Sequence, residues 1–229
     1  MSYLWKAMEA GLRSGYDHSQ WEIGKWRKVD GKVKLYSNGF HASENIIDAM
    51  QYTNMEVLAR VEVQGEVEKG DDKQAWTEMR VVKAWEWTKK DSVSLAVYAA
   101  SLVLHNFEDV YPGDKRPRET IQLVRKWLKD PSSVTYDELL TAARSATGST
   151  RSIAESADES AARSAARSAI WSAESAMSAA EFVRPGAMSA ARSAESAVCS
   201  AAWSATYQET LAKCHRWIVR RIKKLIEVK

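Results

Sequence analysis

The stretch from Ser152 to Ala205 constrains the fold most, because it consists largely of alanine and serine. Alanines recur every three or four residues from Ala154 to Ala180, with a mean step of about 3.7, close to the 3.6 residues per turn of an α-helix. The same spacing resumes from Ala187 to Ala205, after a break at Pro185-Gly186. Alanine has the highest helix propensity and serine carries only a mild penalty. The spacing therefore predicts two helices, with a disordered low-complexity linker as the alternative.

The two alanine helices, residues 151–181 and 187–227, are predicted to pack antiparallel as a hairpin. Small side chains on the facing stripes let the helix axes approach to the short end of the usual ~8–10 Å range. No glycine or proline interrupts the second helix, which continues into an amphipathic segment from Tyr207 to Lys229. Cys199 and Cys214 would lie fifteen residues, or about 22 Å, apart on this helix, so we expect two reduced thiols.

Three further helices are predicted in the middle of the chain, from apolar side chains at helical spacing. The first runs from Ser92, a candidate cap, to Phe107. The second, from Pro117 to Lys129, has proline in its first turn and basic residues near its end, as helix termini favour. The third starts at Thr135 or Tyr136 and is interrupted or ended by Gly148.

Strand patterns dominate the first ninety residues. Alternating apolar and polar side chains over Val57–Gln64 predict a half-buried strand, and Lys32–Tyr36 alternates in the same way. The turn residues Gly70-Asp71-Asp72 separate these segments from a third predicted strand, Trp76 to Trp87. A short helix is predicted from Ser43 to Tyr52, with Ser43 as its cap.

Together these patterns predict an α+β protein. A small domain of mixed strands and helix over residues 1–90 precedes an all-helical domain over residues 91–229, which contains the long Ala/Ser-rich antiparallel helical hairpin. Six of the ten tryptophans fall in the first domain. They either fill its core or form an exposed aromatic face for binding, and we favour the core because a small domain needs large side chains.

Basic side chains concentrate at the C-terminus. The net charge of the chain is +3, whereas its last 25 residues carry seven basic and two acidic side chains. We predict a partner-binding surface from the basic residues of this segment, Arg216, Arg220, Arg221, Lys223 and Lys224. Such a surface would contact an acidic protein or nucleic-acid phosphates. Because the rest of the chain offers no continuing basic track, we favour a protein partner and keep nucleic acid as the alternative.

No catalytic or metal-binding motif stands out in the sequence. The four histidines lack the spacing of metal ligands, and neither cysteine has a CxxC partner. His41, at a predicted strand–helix junction, is a candidate ligand-binding residue. We therefore predict a protein that is not an enzyme and needs no metal or cofactor. Neither a run of ~18 apolar residues nor a signal-like N-terminus is found, which predicts a cytoplasmic protein that contacts no membrane.

Residues 3–87 resemble a small domain found in many phage hypothetical proteins. The resemblance rests on the stretches WEIGKWRK, KVKLYSNGFHAS, ENIIDAMQY, ARVEVQGEVEKGDDK and MRVVKAWEW. Its most characteristic run comprises Gly39, Phe40, His41, Asn45, Asp48 and Tyr52. That family implies no catalytic role. The run also resembles part of an ADP-ribosyltransferase-type fold, which implies an alternative function as a degenerate enzyme of that kind or a nucleotide-binding protein that uses His41.

Residues 105–229 resemble an alanine-rich helical family labelled as putative immunity proteins. The matching stretches are YPGDKRPRETIQLVRKWLKD, YDELLTAARSA and the alanine-rich helices, and the most specific residues are Asp114, Arg116, Pro117 and Arg118. The resemblance implies that the protein neutralises a toxin or effector by binding it. We expect a phage-encoded inhibitor of the anti-CRISPR kind, acting in the host cytoplasm on a bacterial defence protein or toxin, and we leave open a homo-oligomer.

Overall fold

The structure, a computed structural model, describes residues 2–52, 55–151, 164–167, 169–170, 173 and 207–228. The chain divides into two compact units. The first unit comprises Met1–Thr88 together with Val219–Lys229, and the second comprises Lys89–Ile218. The mixed α+β class is confirmed, because an antiparallel sheet precedes the helices.

A five-stranded antiparallel sheet forms the first unit. Its strands are β1 (Ser2–Met8), β2 (Arg27–Lys28), β3 (Phe40–Ala42), β4 (Val57–Lys69) and β5 (Gln74–Glu86). They are hydrogen-bonded in the order β1-β4-β5-β2, and β3 pairs with the start of β5. The predicted break near Gly70 is confirmed, since its N–H donates to the carbonyl of Lys73 at 2.8 Å to close the turn between β4 and β5.

The first half of β4 is buried on both faces, so the prediction of a half-buried strand is wrong there. Val57, Ala59, Val61 and Val63 contribute to the core, as their alternation predicted. The opposite face is also covered, however, and Glu62 is only 2% exposed. A buried carboxylate needs a partner, and the Arg80 guanidinium on β5 lies 2.5 Å from it.

Two local predictions in the first unit are wrong. Residues 32–36 do not form a strand, because the backbone turns sharply at Tyr36, where φ is 64°, and the Asn38 N–H returns to the Lys34 carbonyl. The predicted helix is the short α1 (Ile46–Ala49). Its cap is Asn45, whose side chain accepts from the Ile47 N–H, whereas Ser43 pairs with β1 through Trp5.

The tryptophans of the first unit belong to its interior. Trp5, Trp21 and Trp87 are at most 7% exposed. Trp26, Trp76 and Trp85 are half-buried. The preference for a core role over an exposed aromatic face therefore agrees with the structure.

The end of the chain pairs with the sheet of the first unit. The last described helix, α5 (Tyr207–Ile222), stops before the predicted end at Lys229. Beyond it, the Glu86 N–H donates to the Ile226 carbonyl at 3.0 Å, and the Val228 N–H donates to the Ala84 carbonyl at 2.9 Å. The helix ends because the following residues hydrogen-bond to β5 instead of extending it.

Three helices dominate the described part of the second unit: α2 (Lys89–Glu108), α3 (Arg116–Lys129) and α4 (Tyr136–Arg151). Ser92 is buried within α2 and is not its cap. Thr135 and Glu138 form a reciprocal capping box at the start of α4. Gly148 lies inside α4 and does not end it.

The Ala/Ser-rich stretch is described only in part. Residues 164–167, 169–170 and 173 are helical. Ala165, Ala166, Ala169 and Ala173 are fully buried, and the last two belong to the core formed by α2, α3 and α4. The rest of the predicted hairpin, including Pro185-Gly186 and Cys199, lies outside the described residues, so the hairpin stays a prediction.

Candidate functional site

A cavity of about 470 Å³ opens in the first unit beside β1 and β3. Two cationic side chains line it, Lys6 from β1 and Lys73 from the turn before β5, together with His41 from β3. Its aromatic lining consists of Trp5, Tyr16, Trp21, Tyr36, Phe40 and Tyr52. The cavity thus combines positive charge with flat apolar surfaces.

His41 hydrogen-bonds to the loop before β3, which lines the cavity from Tyr36 to Gly39. Its Nε2 accepts a hydrogen bond from the Tyr36 N–H at 3.0 Å, and its ring also bonds to the backbone of Gly39. Burial, and then the positive charges of Lys6 and Lys73, lower the pKa of the imidazole. The ring is therefore neutral at physiological pH with both nitrogens engaged, an arrangement suited to positioning rather than proton transfer.

Lys6 is half-buried and lines the cavity. Its Nζ donates to the His41 carbonyl at 3.0 Å and lies 5.7 Å from the centre of the Trp21 ring. Burial lowers the pKa of Lys6 to about 8, although the charge of Asp17 opposes this shift. A buried ammonium keeps its charge more easily when an anion approaches, so this lysine is poised to receive one.

Asp17 is the single carboxylate among the described lining residues. Burial alone would raise its pKa, but hydrogen bonds from Ser14, Ser19 and the backbone outweigh burial and lower the pKa of Asp17 to about 2. Its Oδ1 accepts from the Ser19 hydroxyl at 2.8 Å and from the Ser19 N–H at 3.2 Å. This carboxylate is thus held by its own loop, while its charge also acts on Lys6.

Lys73 is held between two tyrosine rings. Only 9% of the residue is exposed, and its Nζ lies 3.9 Å from the ring centre of Tyr36 and 3.7 Å from that of Tyr52. The Tyr52 hydroxyl donates to the carboxylate of Asp72. Burial lowers the pKa of Lys73, against the opposing charge of Asp72. Cation–π contacts offset part of the desolvation of this ammonium.

Trp21 is a buried ring with an unsatisfied polar atom. The residue is 3% exposed, and its ring packs edge-on against Phe40 at 5.1 Å, with the Arg27 guanidinium 4.6 Å away. Within the part of the chain that the structure describes, its indole Nε1 has no hydrogen-bond partner. A buried donor left in this state costs about 1–3 kcal/mol.

Gly39, directly before β3, allows the backbone to pass close to side chains of the first unit. Its φ is 128°, and a Cβ at this position would lie 3.2 Å from both Ala75 Cβ and Val33 Cγ1. Glycine is required where the backbone has positive φ and approaches other atoms this closely. Gly39 in the GFH sequence therefore permits the close backbone approach that orients His41.

The basic residues predicted to bind a partner are not part of this cavity. Arg216 and Arg220 are exposed on α5, Arg221 is half-buried, and Lys223 and Lys224 are exposed in the turn after the helix. Arg216 belongs to the second unit and the other four to the first. Of the predicted site residues, the cavity contains His41 alone, and it adds Lys6, Lys73 and Trp21, which sequence reasoning missed.

The residues most specific to the immunity-protein resemblance brace the start of α3. Asp114 accepts from the Arg116 side chain at 2.8 and 2.5 Å and from its N–H at 3.1 Å. Pro117 occupies the first turn of α3, and Arg118 pairs with Glu108 at the end of α2. These contacts fix the connection between the two helices, which gives the motif a structural role.

Neither metal binding nor thiol chemistry is indicated in the described ranges. No group of three or more His, Cys, Asp or Glu residues there could hold a metal ion. No helix in the described part of the chain is long and apolar enough to cross a membrane. Burial raises the pKa of Cys214 to about 12, so its thiol stays protonated.

Comparison with known protein families divides the chain close to the boundary between its units. Residues 2–91 match the family described as "Domain of unknown function (DUF7666)", and residues 86–183 match the family described as "Imm-5 like putative immunity protein". No curated protein and no solved structure matches the chain. The chain thus joins a segment similar to a domain of unknown function to a segment similar to Imm-5 like immunity proteins.

Proposed function

We propose that the protein neutralises a toxin or defence effector by binding it directly, without catalysis. The observation that carries this proposal is the match of residues 86–183 to the Imm-5 like family, which suggests an immunity-type function. This range includes α2, α3 and α4. Immunity proteins generally act by binding a protein partner, and steric occlusion needs no catalytic group.

The packing of the second unit supports a preformed binding scaffold. Side chains from all three helices, such as Val97, Val124 and Leu139, share one core. The Asp114–Arg116 and Glu108–Arg118 pairs fix the α2–α3 connection. A rigid surface loses little conformational entropy on binding, so more of the contact free energy appears as affinity.

We further propose that the basic cluster at the end of the chain, defined as Arg220, Arg221, Lys223 and Lys224, favours an acidic partner. These four residues fall within five positions, and three of them are exposed. The one acidic residue that follows, Glu227, lies 3.7 Å from Lys83. Clustered like charges raise the association rate with an oppositely charged surface and make binding sensitive to salt.

A titration of inhibition tests the proposal. The genes that flank this chain's own gene are expressed singly in a bacterium, and any toxic product is purified and titrated with the protein. A blocker inhibits fully at about one equivalent and forms a stable complex in gel filtration. Protection at a small fraction of one equivalent would indicate turnover and would overturn a purely steric mechanism.

A matched pair of variants tests the role of the basic cluster. Alanine at Arg220, Arg221, Lys223 and Lys224 should slow association with the toxin at low salt by tenfold or more. Alanine at four exposed lysines elsewhere in the first unit, Lys25, Lys32, Lys34 and Lys69, should leave the rate nearly unchanged. Equal effects of the two variants would show that only net charge matters.

Nucleic-acid binding is the competing role for the same cluster. Four or five phosphate contacts would make the logarithm of the affinity for duplex DNA fall with the logarithm of the salt concentration at a slope of roughly −3.6 to −4.5. We expect only weak DNA and RNA binding, confined to low salt and shared by the cluster variant. Binding at physiological salt that the variant loses would favour nucleic acid over protein.

A further inference from the structure

We propose that the cavity of the first unit binds a small anionic ligand that carries a planar ring, of the size of a nucleoside diphosphate. Lys6 and Lys73 face its anionic group, and the Trp21 indole donates a hydrogen bond to it. This inference is independent of the proposed immunity function, so either can fail without the other.

The charge balance of the cavity favours an anion. Lys6 and Lys73 both carry positive charge toward the space around His41, and the described lining offers only Asp17 in return. The carboxylate of Asp17 is engaged by Ser19. Lys6 bonds to a carbonyl and Lys73 rests on two aromatic rings. Neither forms a salt bridge with a described carboxylate, and the charges of Asp17 and Asp72 offset theirs only in part. An anionic group between them would supply the missing charge.

The Trp21 indole is an independent indication of a ligand. Trp21 lines the cavity, is 3% exposed, and leaves its Nε1–H unsatisfied among the described residues. Buried donors are rarely left in this state in folded proteins, and we infer that an acceptor on the ligand pairs with this one. Phosphate, carboxylate and ring-nitrogen acceptors all meet this requirement.

The size and aromatic lining of the cavity favour a ligand with a ring. A volume of about 470 Å³ lies within the ~300–1,000 Å³ that is common for small-molecule sites. Tyr16 and Tyr36, both among the lining residues, are 89% and 72% exposed. Exposed tyrosine rings next to buried cations provide stacking surfaces beside an anion site. Inorganic phosphate alone would leave these surfaces unused.

The state of His41 leads us to expect that the cavity binds its ligand without catalysing a reaction. Both of its ring nitrogens are occupied by the Tyr36 and Gly39 backbone, and the ring is neutral. His41 is therefore positioned by the backbone rather than ready to transfer a proton. The ligand is expected to leave unchanged.

Calorimetry on the full chain tests the site with ADP, GDP, CDP and UDP as probes, and with adenosine and inorganic phosphate as partial ligands. We expect at least one diphosphate to bind with a micromolar Kd, and the nucleoside and phosphate alone to bind at least tenfold more weakly. Phosphate binding as tightly as the diphosphate would overturn the ring requirement. Failure of all four diphosphates at about 1 mM would overturn the proposal.

Three variants separate the site from general effects. Lys6→Met and Lys73→Met should each weaken diphosphate binding at least tenfold, whereas Lys34→Met, which removes an exposed lysine outside the cavity, should not. Trp21→Phe keeps an aromatic ring at this position but removes the indole N–H. It should weaken diphosphate binding several-fold in a protein whose circular dichroism shows that it still folds. Unaltered binding in the Lys73→Met and Trp21→Phe variants would overturn the assignment, even if Lys6→Met fails to fold.

Discussion

Gly39 should tolerate no side chain, and Gly24 in the same unit provides a matched comparison. Both glycines have positive φ, 128° at Gly39 and 82° at Gly24. A Cβ at Gly39 would meet Ala75 Cβ and Val33 Cγ1 at 3.2 Å, whereas a Cβ at Gly24 would meet nothing within 4 Å. Alanine at the two positions therefore separates backbone strain from steric contact.

The expected magnitudes follow from these two contributions. Placing a non-glycine residue in a left-handed conformation costs about 1–2 kcal/mol. Gly24→Ala should lower the free energy of unfolding by that amount alone. Gly39→Ala adds the overpacking of a methyl group against sheet residues, which costs about 1–3 kcal/mol. Its total should reach about 2–5 kcal/mol.

Thermal unfolding followed by tryptophan fluorescence measures the difference, because six tryptophans lie in the first unit. For a domain of roughly 100 residues, 1 kcal/mol shifts Tm by about 4–8 °C. We expect Gly24→Ala to lower the Tm of this unit by about 4–16 °C and Gly39→Ala to lower it further, by about 8–40 °C in all. Equal shifts would refute the steric argument, and the absence of a shift in both would refute the argument from positive φ.

Three further predictions concern the second unit. Ala165→Leu should lower the free energy of unfolding by roughly 1–3 kcal/mol, because Ala165 is fully buried. Arg167→Leu, at an exposed position, should leave it nearly unchanged. Equal melting temperatures of the two variants would contradict close packing of the alanines. In a Cys199→Ser background, the thiol of Cys214, whose pKa burial raises to about 12, should react with a thiol reagent only after denaturation; fast labelling of the native protein would contradict its burial. A hydrogen bond from the Arg116 side chain is the main reason that the pKa of Asp114 is lowered to about 2 from 3.8. The stabilisation of the fold by ionised Asp114 should be complete above about pH 4 and be lost as the pH falls toward 2. The difference in Tm between the native protein and Asp114→Asn should therefore vanish at low pH.

Helices whose burial follows a local period could be predicted from the sequence. The predicted second helix, from Pro117 to Lys129, differs from α3 by one residue at its start. Its buried residues, including Ile121, Val124 and Trp127, recur at helical spacing because one side of the helix faces the core. A local pattern reports burial reliably when the buried face is continuous.

Elements defined by distant partners could not be predicted in this way. Strand β1 was missed because its side chains do not alternate: Leu4 and Trp5 are both buried, as are Ala7 and Met8. The end of α5 was misplaced because Ile226 and the residues after it pair with a strand about 140 positions earlier in the chain. Neither partner leaves a signal in the neighbouring sequence.

The cavity was missed for a related reason. Its members come from β1, the loop before Trp21, β3 and the turn at Lys73, so no contiguous motif contains them. The run that the sequence singled out contributes Gly39, Phe40, His41 and Tyr52, but it lacks Trp21 and the two cavity lysines. In the sequence, Lys6 is a single basic residue within a largely apolar N-terminal stretch, and only strand pairing places it beside the His41 carbonyl.

The exposed lysines of the basic cluster and the desolvated lysines of the cavity differ in how much they destabilise the folded state. This difference decides which of the two sites is the stronger sign of function. Lys223 and Lys224 are exposed and keep their hydration, so solubility alone could account for them. Lys6 and Lys73 are desolvated, which lowers the pKa of both and destabilises the folded state as long as they remain charged. Apolar residues at these two positions would remove that penalty. A penalty that the fold could avoid is best explained by a ligand that needs the charges, so the cavity is the more specific sign of function.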